Sequence, residues 1–480
     1  MQKSLVKNSI YNIIYTTINV LFPLVTSIYS ARILLATGIG KVTYAQNIAS
    51  YFVTFAALGL PSYGVREFAK VRDDAVSRNR LFTELFFLNF LSTTLAVALY
   101  GLFMSQYIPQ MDKQLYIAAG AVIFFNYLNI DWLYCGIEEY GYITGRNLVV
   151  KIFSFLSLVL FVKDQKDYIL YAWINSIATG VNYLFNVLYS RKFVSFHFLG
   201  LNLIKHVRPL LAIAVILFLG SIYSKVDVTM IGILSSVESV GYYGHSLKII
   251  TMVLTVSHAI TGTFLPRLSY YYDNDRPAFY NLVKKGFDIL CFITFPLVAG
   301  LFLIAEQMVV LLYGTEFAPA VLTTRLLCPI IFIKGFGDLL CYQLAYSTKN
   351  EKIIIPASGF AAVSNVLTNA VLIPVFRQNG AVVASLISEL VTNSIQFVYI
   401  KKRVCFHLNC RSILVAVIAT SVMAVAVFMM MHLQLPVILS IIFEVVCGAI
   451  VYIAVNILLG NPIMIDSIQW IRRKIKRYIA

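Results

Sequence analysis

Charge is scarce in this sequence. Asp, Glu, Lys and Arg together make up 12% of its 480 residues, hydrophobic residues make up 59%, and the mean hydropathy is +0.80. A soluble domain carries about 25% charged and 45 to 50% apolar residues, so the composition excludes one and points to a membrane protein. Long polar stretches are missing too. No connection between apolar runs exceeds about twenty residues, which leaves no room for a soluble domain. Cysteine pairs at metal-ligand spacing are also absent. Cys135, Cys291, Cys328, Cys341, Cys405, Cys410 and Cys447 lie mostly in apolar runs, with no CxxC and no histidine partner, and read as small buried hydrophobes. Nor is there a GxxxxGK[ST] loop, an HExxH or a GxSxG. The sequence therefore carries no sign of an ATPase or a recognisable hydrolase, and no cofactor or metal is expected.

What is present is a succession of apolar segments. A spanning helix needs about 20 mostly apolar residues, and fourteen segments qualify: 9–31, 42–61, 81–104, 115–135, 143–162, 168–190, 209–234, 242–265, 286–312, 320–345, 353–376, 380–400, 412–432 and 437–459. The fifth is the weakest, because Arg146 and Lys151 fall within it. The apolar run that begins after Lys3 and Lys7 continues to Leu35 without an AxA-like cleavage site, so it is expected to be a retained first span and not a signal peptide.

The basic residues are distributed unevenly. With the N-terminus inside, 28 Lys and Arg are assigned to the cytoplasmic side, counting there Arg146 and Lys151 from the inner part of the fifth segment, 6 to the outside (Arg32, Lys41, Lys113, Lys163, Lys166, Arg377) and 4 to the other spans. By the positive-inside rule both termini are expected in the cytoplasm. The loss or gain of one span would scramble this alternation, so the asymmetry also supports an even count. The net charge of +16 is thus a topology signal and not a nucleic-acid footprint. Inside the spans acidic residues outnumber basic ones, 8 to 4, which directs attention to carboxylates as carriers of a coupling proton.

A faint internal repeat is visible. Gly40 and Arg66 bracket the second span and Gly241 and Arg267 the eighth, at a common offset of 201 residues. Two six-helix halves followed by two further helices would produce this, and repeats of that kind are common in transporters. The division expected is 1–208, 209–403 and 404–480. Pro23, Pro296, Pro329, Pro356 and Pro374 interrupt spans, which is tolerated where neighbours or a cavity satisfy the freed backbone.

Polar groups inside spans supply the candidate site. Asn12, Thr16 and Asn19, with Pro23, form one stripe down the first helix. The stripe is either the wall of a polar cavity or interhelical glue. Packing is the favoured explanation for the Asn182/Asn186 and Asn365/Asn369 pairs. A charge near the bilayer centre costs about 2.5 to 3.5 kcal/mol even on insertion scales, so Lys225, Asp227, Lys334, Asp338, Glu389 and Glu444 stand out. Lys334 and Asp338, four residues apart, share a helical face and could pair; Lys225 and Asp227, two apart, point to different sides. Arg32, Lys248 and Arg325 lie near outer span ends, where they either snorkel to headgroups or form the outer part of a phosphate-gripping cationic lumen.

Several stretches, taken in order over some 400 residues, resemble the Wzx-type polysaccharide repeat-unit flippases of the multidrug/oligosaccharidyl-lipid/polysaccharide exporter superfamily. They are Ala31-Arg32-Ile33-Leu34 with Gly38 and Gly40; Ala56-Ala57-Leu58-Gly59-Leu60 and Tyr63-Gly64-Val65-Arg66-Glu67; Asp131-Trp132 with Gly136; Lys225-Val226-Asp227 with Met230-Ile231-Gly232; and Val240-Gly241-Tyr242-Tyr243. In the second half come Leu312-Tyr313-Gly314 with Glu316-Phe317; Asn365, Asn369 and Ile373-Pro374; and Gly380-Ala381 running to Ser388-Glu389. The resemblance implies an all-α polytopic protein with two six-helix lobes around a central cavity and two extra C-terminal helices. It implies a bacterial inner membrane location, and a cargo of undecaprenyl-pyrophosphate-linked oligosaccharide moved to the outer leaflet for O-antigen, capsule or exopolysaccharide synthesis. Membrane lipid, a polysaccharide polymerase and chain-length proteins are the candidate partners. On this reading Asn12, Thr16, Asn19, Arg32, Lys225, Lys248, Arg325 and Lys334 contact the cargo, and Asp227, Asp338 or Glu389 carries the coupling ion. The deep charges are balanced in sign, a departure from the strongly cationic lumen that an acidic glycan would call for. A cation-coupled multidrug efflux antiporter and an integral-membrane polymerase are the alternatives; short outer loops count against the polymerase.

Overall fold

The computed structural model describes residues 5–261, 264–404, 406, 408–433, 435–466 and 469, with side chains from residue 22 onward except 256–261. Among the described residues every regular element is helical, as a chain whose backbone must satisfy its own hydrogen bonds in lipid requires. The fourteen expected segments are helical over most of their described length. Ten helical runs are long and apolar enough by themselves to cross a membrane, and the shorter or more polar segments supply the remainder. The chain divides into two compact units, 1–241 and 242–480.

In the first unit, α1 (Leu5–Ala56) contains the first two spans. A connecting loop is expected between them, but helix runs on either side of Leu35, whose φ of 53° and ψ of −177° break the helical path at that one residue. The short α2 (Leu60–Val71) follows, then α3 (Ala75–Tyr107). The fourth span is broken into α4 (Lys113–Phe125), a 3₁₀ turn (Asn126–Leu128) and α5 (Asp131–Gly136). Next come α6 (Tyr140–Phe161), α7 (Tyr168–Ser190), which coincides with the expected sixth span, and α8 (Ile204–Leu234). Small side chains set the packing of α1, α3, α4 and α7. Ala45, Ala49, Ala96, Ala118, Ala119 and Ala172 are all buried in one cluster, letting backbones approach where no hydrophobic effect drives helices together.

The helix α9 (Val237–Thr261) starts in the first unit and continues into the second, where α10 (Leu265–Asn274), α11 (Arg276–Tyr313), α12 (Pro319–Leu327) and α13 (Ile330–Asp338) follow. A π-helical stretch (Leu339–Tyr346) completes the tenth span. The α14 (Ile354–Phe376) and α15 (Gln378–Lys401) hairpin closes at Arg377, and α16 (Cys410–Met430) and α17 (Val437–Leu458) follow in the same unit. They are fastened to α11 by Tyr452 Oη donating to the Phe292 carbonyl at 2.8 Å and by Asn409 Nδ2 donating to Asp288 at 3.2 Å.

The repeat hinted at by Gly40 and Gly241 is structural. In each unit a span leads into a short helix with proline in its first turn (Leu60-Pro61, Leu265-Pro266), where the missing N–H costs nothing. An aspartate then caps the long helix that follows. Asp74 accepts from the Val76 amide and Asp275 from the Ala278 amide, each at 3.0 Å. These caps are again 201 residues apart. The cysteines are mostly buried or half-buried, as expected of small hydrophobes. Cys410 departs from this: it opens α16 and is exposed. Cys405 lies outside the described residues.

Candidate functional site

The fourth and tenth spans occupy corresponding places in the two halves, and both are interrupted. Interrupted helices at equivalent positions of a repeat mark the binding region of many transporters, because the freed backbone is tolerated only beside protein or water. At the first break, Asn89 and Thr93 of α3 hold the buried Asn126 at the interruption. Asn89 Nδ2 donates to the Asn126 carbonyl at 2.7 Å, and Asn126 Nδ2 donates to Thr93 Oγ1 at 2.8 Å.

Just past this break, Asp131 opens α5 and receives Arg146 of α6, with Nη1 and Nη2 at 3.1 and 3.2 Å from Oδ1. Asn186 Nδ2 of α7 donates to the same oxygen at 2.6 Å, and Arg146 also donates to the Asn186 side chain and to the Asn182 carbonyl. The Arg146 side chain is only 6% exposed whereas that of Asp131 is 43% exposed, so a buried cation is held by a carboxylate that water can reach. Tyr142 stands beside it, its ring 5.7 Å from the guanidinium. In the sequence Asp131, Arg146, Asn182 and Asn186 stood out separately and were not joined, and Tyr142 did not stand out at all. The signals were there: Arg146 weakens the fifth span, and Asn182 and Asn186 are four residues apart.

In the second unit the tenth span turns at Pro329 between α12 and α13 and ends in the π-helix. Lys334 does form an ion pair, but with Glu389 of α15 at 3.3 Å, where the four-residue spacing suggested Asp338. Glu389 is largely buried and Lys334 half-buried. One turn on, Asn393 Nδ2 donates to the Ile333 carbonyl at 2.7 Å. Its Oδ1 lies so close to Gly337 that a β-carbon there would collide with it. The π-turn sets Asp338 at the junction where helical register changes, a feature frequent at functional positions.

The other expected residues are dispersed. Lys225 lies on a polar seam between the second half of α1 and α8, its Nζ 5.8 Å from the Tyr51 ring centre. Along that seam Asn47 Nδ2 donates to Thr229 Oγ1 at 2.8 Å, and the Tyr51 and Thr229 hydroxyls are 2.9 Å apart. Asp227, two residues along α8, is half-buried. Lys248 is half-buried in α9, and Arg32 is exposed near the Leu35 kink. Arg325 pairs with Glu306 at 3.4 Å and donates to the Phe302 carbonyl, a local tether at the end of α11. Glu444 accepts from Ser440 at 2.7 Å and Gln307 at 2.9 Å, tying α17 to α11. Asn369 Nδ2 donates to Asn365 Oδ1 at 2.9 Å, both buried within α14. Asn12, Thr16 and Asn19 fall outside the residues whose side chains are described.

One buried constellation went unrecognised in the sequence. Glu84 of α3, fully buried, accepts from Lys205 Nζ at 2.8 Å and from the Asn202 amide at 2.7 Å, and lies 2.8 Å from His206 Nε2. His206 Nδ1 is 2.6 Å from the Tyr63 hydroxyl. A neutral histidine with its proton on Nε2 satisfies both contacts. The network fastens α2, α3 and the start of α8 into one end of the first unit. Nothing in the local pattern announces it, since Glu84 and His206 are 122 residues apart. Among the described residues no group of three or more His, Cys, Asp or Glu is placed to hold a metal ion.

Comparison with known proteins is consistent with this architecture. Residues 5–272 match the family described as polysaccharide biosynthesis protein. A putative O-antigen transporter of Escherichia coli K12 is 24% identical over 414 residues, covering 83% of this chain and 97% of that protein. A probable low-salt glycan biosynthesis flippase of Haloferax volcanii is 21% identical over 210 residues, 44% of each chain. Among solved structures, the lipid II flippase MurJ in an inward closed conformation superposes with a TM-score of 0.78 at 14% identity, covering 95% of this chain and 99% of that one. An inward-facing multidrug resistance MATE family transporter reaches 0.58 at 13% identity, covering 79% and 94%.

Proposed function

Because the chain belongs to the polysaccharide biosynthesis protein family, whose pattern covers more than half of it, we propose that it is a flippase for lipid-linked oligosaccharides. It takes undecaprenyl-pyrophosphate-linked repeat units from the cytoplasmic leaflet to the outer leaflet of the bacterial inner membrane, both of its termini being cytoplasmic, and does so by ion-coupled alternating access. It is a transporter and not an enzyme, and it supplies O-antigen, capsule or exopolysaccharide synthesis, with a polymerase and chain-length proteins acting on what it delivers. The functional lobes are residues 1–208 and 209–403, with 404–480 appended.

The observation that carries this reading is the pairing of interrupted, charge-bearing spans in the two halves. Asp131 with Arg146 and Lys334 with Glu389 place ionisable groups within membrane helices, where charge is retained for pathways. The names of the relatives support the cargo class. Arg32, Lys225, Lys248, Arg325 and Lys334 are the proposed cargo contacts together with the Asn12, Thr16 and Asn19 stripe, and Asp227, Asp338 or Glu389 the ion carrier.

Reconstitution in liposomes tests the proposal. Purified protein should change the transbilayer distribution of a polyprenyl-pyrophosphate oligosaccharide in the presence of an ion gradient; an unchanged distribution sinks the reading. The fold shared with a MATE transporter keeps cation-coupled drug efflux as the second reading. Uptake of organic cations by the same vesicles, with the lipid-linked sugar left in place, would establish that one instead.

A further inference from the structure

Two adjoining cavities run between α6 and α7 of the first unit. One of about 440 Å³ is lined by Tyr142, Gly145, Arg146, Leu188 and Tyr189 among others, and the next, of about 420 Å³, by Phe153, Ser157, Phe161 and Ala178. They share Val149 and Phe185, so they form one groove along the two helices. From Gly145 to Phe161 the groove follows α6 for about 24 Å at 1.5 Å per residue.

Its chemistry is divided by position. At one end stand Arg146, nearly buried, and Lys192, whose Nζ lies 4.7 Å from the Tyr189 ring centre. Both Arg146 Nη atoms are engaged by Asp131 and neighbours, but its buried Nε–H has no acceptor among the described residues. Tyr142 and Tyr189 stack at 4.0 Å between centroids, and the Tyr142 hydroxyl donates to the Phe185 carbonyl at 2.8 Å, which braces the groove at this end. Beyond Arg146 the named walls are apolar apart from the Ser154 and Ser157 hydroxyls.

A phosphate suits the cationic end and a hydrocarbon chain the rest. Length identifies the chain. The hydrocarbon core is about 30 Å thick, so an acyl lipid anchored at one surface reaches about 15 Å to the midplane. The groove runs past that by about 9 Å, so an acyl chain of one leaflet leaves more than a third of it empty and a polyprenyl chain fills it. We propose that the α6–α7 groove binds the polyprenyl chain of a polyprenyl pyrophosphate, with the pyrophosphate at Arg146 and Lys192. The proposal rests on the flippase reading and gives the cargo's lipid a track of its own, on the outside of the first unit.

The test uses the full-length protein in phosphatidylcholine nanodiscs, with undecaprenyl pyrophosphate as the long probe and farnesyl pyrophosphate as the short one. Ser157→Trp and Ile174→Trp fill the groove beyond the reach of the short chain. Each variant should weaken the long probe by about tenfold or more, through lost apolar contact, and leave the short probe within about twofold. A long-chain pyrophosphate with a photoreactive group at its tail should label α6 and α7 peptides of the unaltered protein, which needs no variant to fold. Unchanged long-chain binding in folded variants, equal weakening of both probes, or labelling confined to other helices overturns the proposal. So does displacement of the long probe by phosphatidylglycerol at equal concentration, which would make the groove an ordinary phospholipid site. Failure of the flippase reading looks different: the unaltered protein would bind the long probe in the groove and leave the sugar-bearing lipid unflipped.

Discussion

Gly40 and Gly241 stand 201 residues apart and take reciprocal places in one helix crossing. A β-carbon on Gly40 would run into the carbonyl of Val237, and one on Gly241 into that of Ala36; Ala36 and Val237 are themselves 201 apart. Between them Thr37 Oγ1 donates to Glu238 at 3.1 Å, a third pair at the same offset. The repeat therefore meets itself in this contact between α1, just beyond its kink, and the start of α9.

The first prediction follows from that geometry. Gly40→Ala or Gly241→Ala should each lower stability by about 1 to 3 kcal/mol, the usual range for overpacking, because the colliding atoms belong to backbone and cannot rotate away. Thermal unfolding in detergent would show it. Gly101→Ala is the control, since a β-carbon there meets nothing; equal melting points for all three would refute the close crossing.

A second concerns Arg146. Asp131→Ala strands a guanidinium that is nearly buried, so it should cost about 2 kcal/mol, below the range for fully buried pairs because water reaches Asp131. Asp131→Asn keeps an acceptor and should cost less. Denaturation of the purified variants ranks them, and the reverse order would show that Asp131 is not what holds Arg146.

Transport separates the roles of Lys334 and Glu389. We expect Lys334→Met and Glu389→Gln each to reduce flipping by about tenfold or more, and the double variant to stay inactive, since an intramembrane carboxylate that carries the coupling ion is not replaced by removing its partner. Recovery in the double variant would mean that the pair only closes the bundle.

The loop before α7 supplies a pH dependence. The Lys163 and Asp164 amides, both donating to Asp167 at 2.9 Å, hold its carboxyl below the ordinary range. A depressed folded value stabilises the loop above the unfolded value of about 3.9 and loses that contribution as pH falls through the folded one. Hydrogen exchange at these two amides, referenced to Asp167→Asn, should show protection at neutral pH that disappears only below about pH 3.9. Protection indifferent to pH would remove Asp167 as its cause.

The helical segments were readable because the bilayer imposes one length on all of them. Residues 168–190 are expected as a span and are a helix with the same bounds, since an apolar run of that length has no other stable state in lipid. The site was readable only in pieces. Asp131, Arg146 and Asn186 each broke a local rule, yet their joining depends on three helices meeting side by side. Lys334 had a plausible partner one turn away and took another 55 residues on, because α15 packs against that face of α13.

By itself, then, the sequence determined that this is an all-helical membrane protein of about fourteen spans, with features recurring at an offset of 201 residues. Those properties are linear: each depends on a run of neighbours or a constant spacing. Only the tertiary structure decided that the first two spans meet at a single kinked residue, that Glu389 answers Lys334, and that Arg146 heads a groove between two helices. Such outcomes depend on which helix faces come together, and a polar residue in lipid takes whichever partner the packing brings within reach.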